Sequence, residues 1–74
     1  MTKKILVTGA TGYVGGRLIP ILLEEGYSVR VFSRNPNRLR DYPWHDDIEI
    51  VSGDARNFED VEKAVEGIDI VYFL

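Results

Sequence analysis

Apolar positions along the chain change period several times, and each change marks an element. Ile5 to Thr8 is apolar on both faces, as expected of a strand covered on both sides in a parallel sheet. From Tyr13 to Glu25, Val14, Leu18, Ile21 and Leu22 recur at helical spacing, and Gly26 marks the stop. Pro20 lies inside that segment. It removes the hydrogen bond to the Gly16 carbonyl, so the helix is expected to bend there rather than end. Ser28 to Ser33 reads as a second strand. Asn35-Pro36 offers an N-cap and a proline at the first helical position, predicting a short helix from about Pro36 to Tyr42. Asp41 to Asp47 is expected to be an irregular loop and Ile48 to Ser52 a third strand. Asn57 caps a second long helix, with Asp60 as its capping-box partner. Phe58, Val61, Ala64, Val65 and Ile68 form its expected buried stripe, and Gly67 ends it. Ile68 to Leu74 reads as a fourth strand.

Strands alternating with helices predict an α/β fold, a parallel sheet with helices on both faces. Right-handed crossovers set the strand order 3-2-1-4. This is half of a doubly wound fold plus the first strand of the other half. The last strand then lies at an open, apolar edge, and such edges invite association. The chain therefore reads as the N-terminal piece of a longer protein, or as one that self-associates through this edge.

Composition narrows the function classes. Seventy-four residues allow one small domain, and the 45% hydrophobic and 28% charged content is that of a globular chain. There is no cysteine and one histidine, which excludes disulfides and thiolate sites and argues against any metal centre. A net charge of −3 with mixed signs is a poor footprint for nucleic acid, which needs a basic face. No apolar run approaches membrane-spanning length, so a cytoplasmic chain is expected.

The densest chemical signal is the turn Thr8-Gly9-Ala10-Thr11-Gly12-Tyr13-Val14-Gly15. It follows an apolar strand and opens an amphipathic helix, the setting in which glycines shape a pyrophosphate cradle. Gly9 would take a positive φ at the strand exit, Gly12 would leave space for the pyrophosphate, and Gly15 would let the helix lie close on the strand. Amides from Thr11 to Val14 would point at the phosphates, aided by the helix dipole. The bland alternative is a tight strand-to-helix turn with no ligand. A P-loop is not supported, since no Gly-Lys-Ser/Thr ending is present.

These residues, with Gly53-Asp54 and Gly67-Ile68-Asp69-Ile70-Val71-Tyr72, resemble the extended and atypical short-chain dehydrogenase/reductases, in particular the NmrA-like and epimerase-like branches. The resemblance implies the cofactor half of a Rossmann domain that binds NAD(P). The end of the second strand should face the adenosine ribose, where an acidic residue would select NAD(H). Here Ser33 stands there, followed by Arg34, with Arg38 one helical turn on. Guanidinium groups suit a 2′-phosphate, so NADP(H) is expected over NAD(H). Either arginine also reads as a solvated surface residue. The resemblance further implies that Asp54, with Ala55 beside it, accepts from the adenine amino group. A turn-stabilising aspartate is the competing reading. Phe73 and Leu74 either line the pocket or pack in the strand.

His45 beside Asp46 and Asp47 lacks further ligands and reads as a solvated loop, while Trp44 and Tyr42 either cover the apolar edge beneath it or belong to an interface. The acid/base Tyr-x-x-x-Lys pair that the resemblance implies is not found within these 74 residues: Tyr13, Tyr27 and Tyr42 have no lysine four residues on, and Tyr72 is followed by only two residues. No catalytic residue is therefore assigned. Three functions stay open: the cofactor half of an oxidoreductase, epimerase or dehydratase; a non-enzymatic NADP(H)-sensing regulator; and a small interaction module with a vestigial nucleotide site.

Overall fold

Two strands carry most of the core, and the rest of the chain is arranged around them. In the computed structural model, which describes residues 2–9 and 13–73 (side chains of 13 and 14 excepted), these are β1 (Lys4–Thr8) and β2 (Ser28–Ser33). β3 (Glu49–Ser52) flanks β2 and β4 (Ile70–Phe73) flanks β1, giving the order β3-β2-β1-β4 with every pair parallel. Lys4 lies opposite Ser28, Ile5 opposite Ile70 and Arg30 opposite Glu49. Asp69 ties β4 to β1: its Oδ2 accepts from the Lys4 amide at 2.8 Å, and its own amide donates to the Lys4 carbonyl at 2.9 Å. All four strands end on one side of the sheet.

Strand alternation sends Ile5, Val7, Val29 and Val31 to one face and Leu6 and Phe32 to the other. The first face is covered by α1 (Tyr13–Glu24) through Ile19 and Leu22, and by Leu39 and Trp44 from the segment after β2. The second is covered by α2 (Phe58–Val65), whose Ala64 sits on Leu6 and Phe32. Helices thus occupy both faces of a parallel sheet, an α/β architecture of the Rossmann type.

Several local expectations are corrected. Ile19 is fully buried and Ile21 is 55% exposed, so the apolar stripe of α1 runs through 15, 18, 19 and 22. Pro20, as expected, lies within α1 without ending it, and it is exposed. Of the stripe expected in α2, Ala64 is buried and Val61, with Ile68 beyond the helix, packs beside it on Leu6 and Phe32, whereas Phe58 (77% exposed) and Val65 face outward. The segment after β2 is a 3-10 helix (Pro36–Asp41), and Asn35 gives it no side-chain cap bond. The expected loop contains a second 3-10 turn, His45–Asp47. Trp44 is 5% exposed and stacks on Tyr42, with ring centroids 4.7 Å apart. These two aromatics cover the edge of the core.

Asn57 does cap α2: its side-chain oxygen accepts from the amides of Glu59 (2.9 Å) and Asp60 (3.3 Å). Asn57→Ala is expected to cost about 1 kcal/mol of stability, read as a lower urea midpoint at unchanged slope. Asp60 does not complete a capping box. Its carboxylate turns instead to the Asp54 amide, and the Asn57 amide donates to the Asp54 carbonyl. At the other end of α2, Arg30 of β2 donates to the carbonyls of Ala64 (2.8 Å) and Glu66 (2.7 Å) and pairs with Glu49.

Candidate functional site

In a sheet built this way, the space beyond the carboxyl ends of the strands is where backbone amides and loops converge. A cleft of about 610 Å³ opens there, with walls from all four strand ends. β1 contributes Thr8 and Gly9. The exit of β2 contributes Phe32, Ser33, Arg34, Asn35 and Arg38, and the loop after β3 contributes Gly53 to Arg56. Phe73 of β4 lines it too and is 80% exposed.

Six residues singled out in the sequence therefore meet at one place: Gly9, Ser33, Arg34, Arg38, Asp54 and Ala55. Gly9 has φ +72°, the left-handed region that a β-carbon penalises, so the chain leaves β1 in a conformation suited to glycine. Gly15 is buried in the first turn of α1, away from the cleft lining. Tyr13 and Val14 begin α1. Thr11 and Gly12 lie outside the described residues.

Local bonding explains how the cationic wall is set. Ser33 Oγ accepts from the Asn35 amide at 3.1 Å, turning the chain sharply as β2 ends. The Asn35 carbonyl then accepts from the Arg38 amide at 3.1 Å, which starts the 3-10 helix. Arg34 and Arg38 consequently reach the same cleft from one short segment, both exposed. No carboxylate stands at the end of β2.

The opposite wall is more tightly wired. The Gly53 amide donates to the Ser33 carbonyl at 3.0 Å, joining the two walls. Asp54 donates its amide to Asp60 Oδ2 at 3.0 Å. Its carboxylate faces Arg56, which donates through its amide (2.8 Å) and Nε (3.2 Å) to Oδ1, and through Nη2 (2.8 Å) to Oδ2. The Arg56 side-chain bonds, then its amide, hold the Asp54 carboxyl at about 2, against an ordinary value of 3.8. The same pairing raises the Arg56 guanidinium.

Sequence reasoning missed Arg56, Asn35, Gly53 and Phe32 as members of the cleft. The signal for Arg56 was available: an aspartate at a strand exit accepts from the amide two residues on, which brings that residue's side chain back over it. His45, paired with Asp46 at 3.1 Å, is not part of this lining. Among the described residues no helix is long and apolar enough to cross a membrane.

A family model described as NAD(P)H-binding matches residues 9–74. The chain is 46% identical over 69 residues to a 3-beta-hydroxysteroid dehydrogenase of Mycolicibacterium neoaurum, a match covering 93% of this chain and 18% of that enzyme. A Rossmann-fold NAD(P)-binding family protein from Shigella flexneri superposes with a TM-score of 0.87 at 28% identity, over 100% of this chain and 38% of that one. A short-chain dehydrogenase/reductase superfamily protein from Agrobacterium tumefaciens, solved with bound NAD, gives 0.74 at 30% identity over 96% of this chain and 20% of its own. The chain thus spans less than two fifths of the length of each of these proteins.

Proposed function

Because this chain belongs to the NAD(P)H-binding family, we propose that its cleft takes the adenosine half of NADP(H) in preference to NAD(H). The 2′-phosphate lies against Arg34, with Arg38 as a second donor. The adenine amino group meets Asp54 beside Ala55, and the pyrophosphate sits on the turn from Gly9 through Thr11 and Gly12 to Gly15. There the amides that open α1, including those of Tyr13 and Val14, and the positive end of its dipole favour an anion. The observation that carries this reading is the pair of guanidinium-bearing residues converging on the cleft where a carboxylate would repel a phosphate.

The residues present fit such a group: a glycine with positive φ at the strand exit, a polar cleft of about 610 Å³, and donors suited to phosphate on one wall. When bound, the nicotinamide ring supplies hydride chemistry. The chain's own part is to hold and orient the far end of the coenzyme, so that its binding energy is available to the reacting half. Ser33 shapes the turn that aims Arg34, and Arg34 neutralises the phosphate dianion. Asp54, held ionised by Arg56, serves as an acceptor. With no Tyr-x-x-x-Lys among these 74 residues, they bind without supplying the acid/base. The whole protein, on the strength of the dehydrogenase relative, is a nicotinamide-dependent oxidoreductase, epimerase or dehydratase of the short-chain type, and this chain is the N-terminal part of its cofactor domain.

A paired titration tests the assignment. Arg34→Ala is expected to weaken NADPH binding about 10–100-fold, the loss of one or two charge-assisted bonds, and to leave NADH within about twofold. Equal losses for both coenzymes would defeat it.

A further inference from the structure

A carboxylate offers about four acceptor sites on its two oxygens. At Asp54 three N–H groups of a single residue, Arg56, already point at them: the amide and Nε at Oδ1, Nη2 at Oδ2. Nε is shared, lying 3.3 Å from Oδ2 as well. The Asp54 backbone is also fixed, because its amide donates to Asp60 and its carbonyl accepts from Asn57. So the carboxylate can neither rotate freely nor take donors from any direction. Oδ1 takes two of these donors, whereas Oδ2 takes Nη2 and only the longer share of Nε, so the acceptor capacity left to a ligand is on Oδ2, and Asp54, with its side chain 34% exposed, lines the cleft.

We infer that Arg56 is a positioning residue for base recognition: it presents that remaining acceptor of Asp54 to the exocyclic amino group of the coenzyme's adenine, making the site selective for a 6-amino over a 6-oxo purine. The inference rests on the assignment of adenine to Asp54 made above. A 6-amino group donates where that acceptor waits. A 6-oxo group brings a second acceptor against an ionised carboxylate and is repelled. Without Arg56 the aspartate keeps its charge but loses its fixed orientation, and the discrimination is lost while the cleft remains. Arg56 itself is an exposed side chain (81%), so its removal leaves the core untouched.

The test is calorimetric titration of the chain with NADP+ and with nicotinamide hypoxanthine dinucleotide phosphate. The parent chain is expected to prefer the adenine form about tenfold, as one charge-assisted hydrogen bond allows. Arg56→Ala is expected to bring the two within about twofold with an unchanged circular-dichroism spectrum, and Arg56→Lys to restore part of the preference. The Asp54 carboxyl, followed by carbon-13 NMR, should titrate higher in Arg56→Ala, moving from about 2 towards 3.8. If the parent shows no base preference, the adenine assignment fails and this inference with it. If Asp54→Asn abolishes the preference while Arg56→Ala preserves it in full, the assignment stands and the role given to Arg56 is wrong.

Discussion

Arg30→Ala is expected to lower the unfolding midpoint by about 10–20 °C, a loss of ~2–3 kcal/mol in a domain of this size. Arg30 rises from β2 towards the end of α2, with its side chain only 12% exposed. Its guanidinium donates to the carbonyls of Ala64 and Glu66, two groups left without helical partners where α2 stops. It also places a positive charge at the negative end of the helix dipole. Glu49 across the β2–β3 pair is 59% exposed, and that ion pair adds little in solvent. Arg30→Lys separates the contributions: both carbonyl bonds come from the single nitrogen Nη1, which a shorter lysine stem does not reach, so lysine keeps the charge near the helix end and is expected to recover less than half of the loss. Thermal unfolding followed by circular dichroism measures both variants. A midpoint unmoved by Arg30→Ala would mean that water caps α2 equally well.

Gly53→Ala is the second large effect, for a reason of space rather than backbone conformation. A β-carbon there would lie 2.8 Å from Phe32 Cε2, 2.9 Å from Asp60 Cβ and 3.0 Å from Asp60 Cγ. Asp60 cannot yield cheaply, since its Cβ is fixed by the α2 backbone and its carboxylate holds the Asp54 amide. Phe32 is buried between the sheet and Ala64. Alanine is therefore expected to cost ~1–3 kcal/mol by overpacking, partly offset by a stiffer unfolded chain. It should also shift the Asp54 loop, weakening coenzyme binding along with stability. Urea unfolding and NADPH titration on the same sample check both. Stability at the parent level would show that Phe32 moves aside.

Why some of this was legible in the residues and some was not follows from how each element is specified. Ser28–Ser33 was read with its observed bounds because the apolar Val29, Val31 and Phe32 are enclosed between two serines. The strand order followed from the chirality of the crossovers, which depends on no individual side chain. Burial in α2 was read correctly at Val61, Ala64 and Ile68 but not at Phe58 and Val65, because periodicity assigns a face but not how much of it the sheet can reach. Trp44 lies in a segment with no period at all, and only its large apolar ring hinted that it would seek the core. In the cleft, Gly9, Ser33, Arg34, Asp54 and Ala55 were found because topology gathers strand exits, although Phe32 and Gly53 beside them were not singled out as members. Arg56 was not, because its place depends on a two-residue turn made by a side chain, which leaves no trace in hydrophobic pattern.

β1 is made early in translation, yet neither of its neighbours is close in sequence: Lys4 needs Ser28, and Ile5 needs Ile70. Such far-flung pairing slows folding, since each loop must close before its contacts repay it. The cleft inherits this dependence, because Gly9 and Phe73 flank the same β1–β4 seam. A nascent chain that has not yet formed β4 therefore lacks the wall that Phe73 supplies, and its cleft stays open on that side.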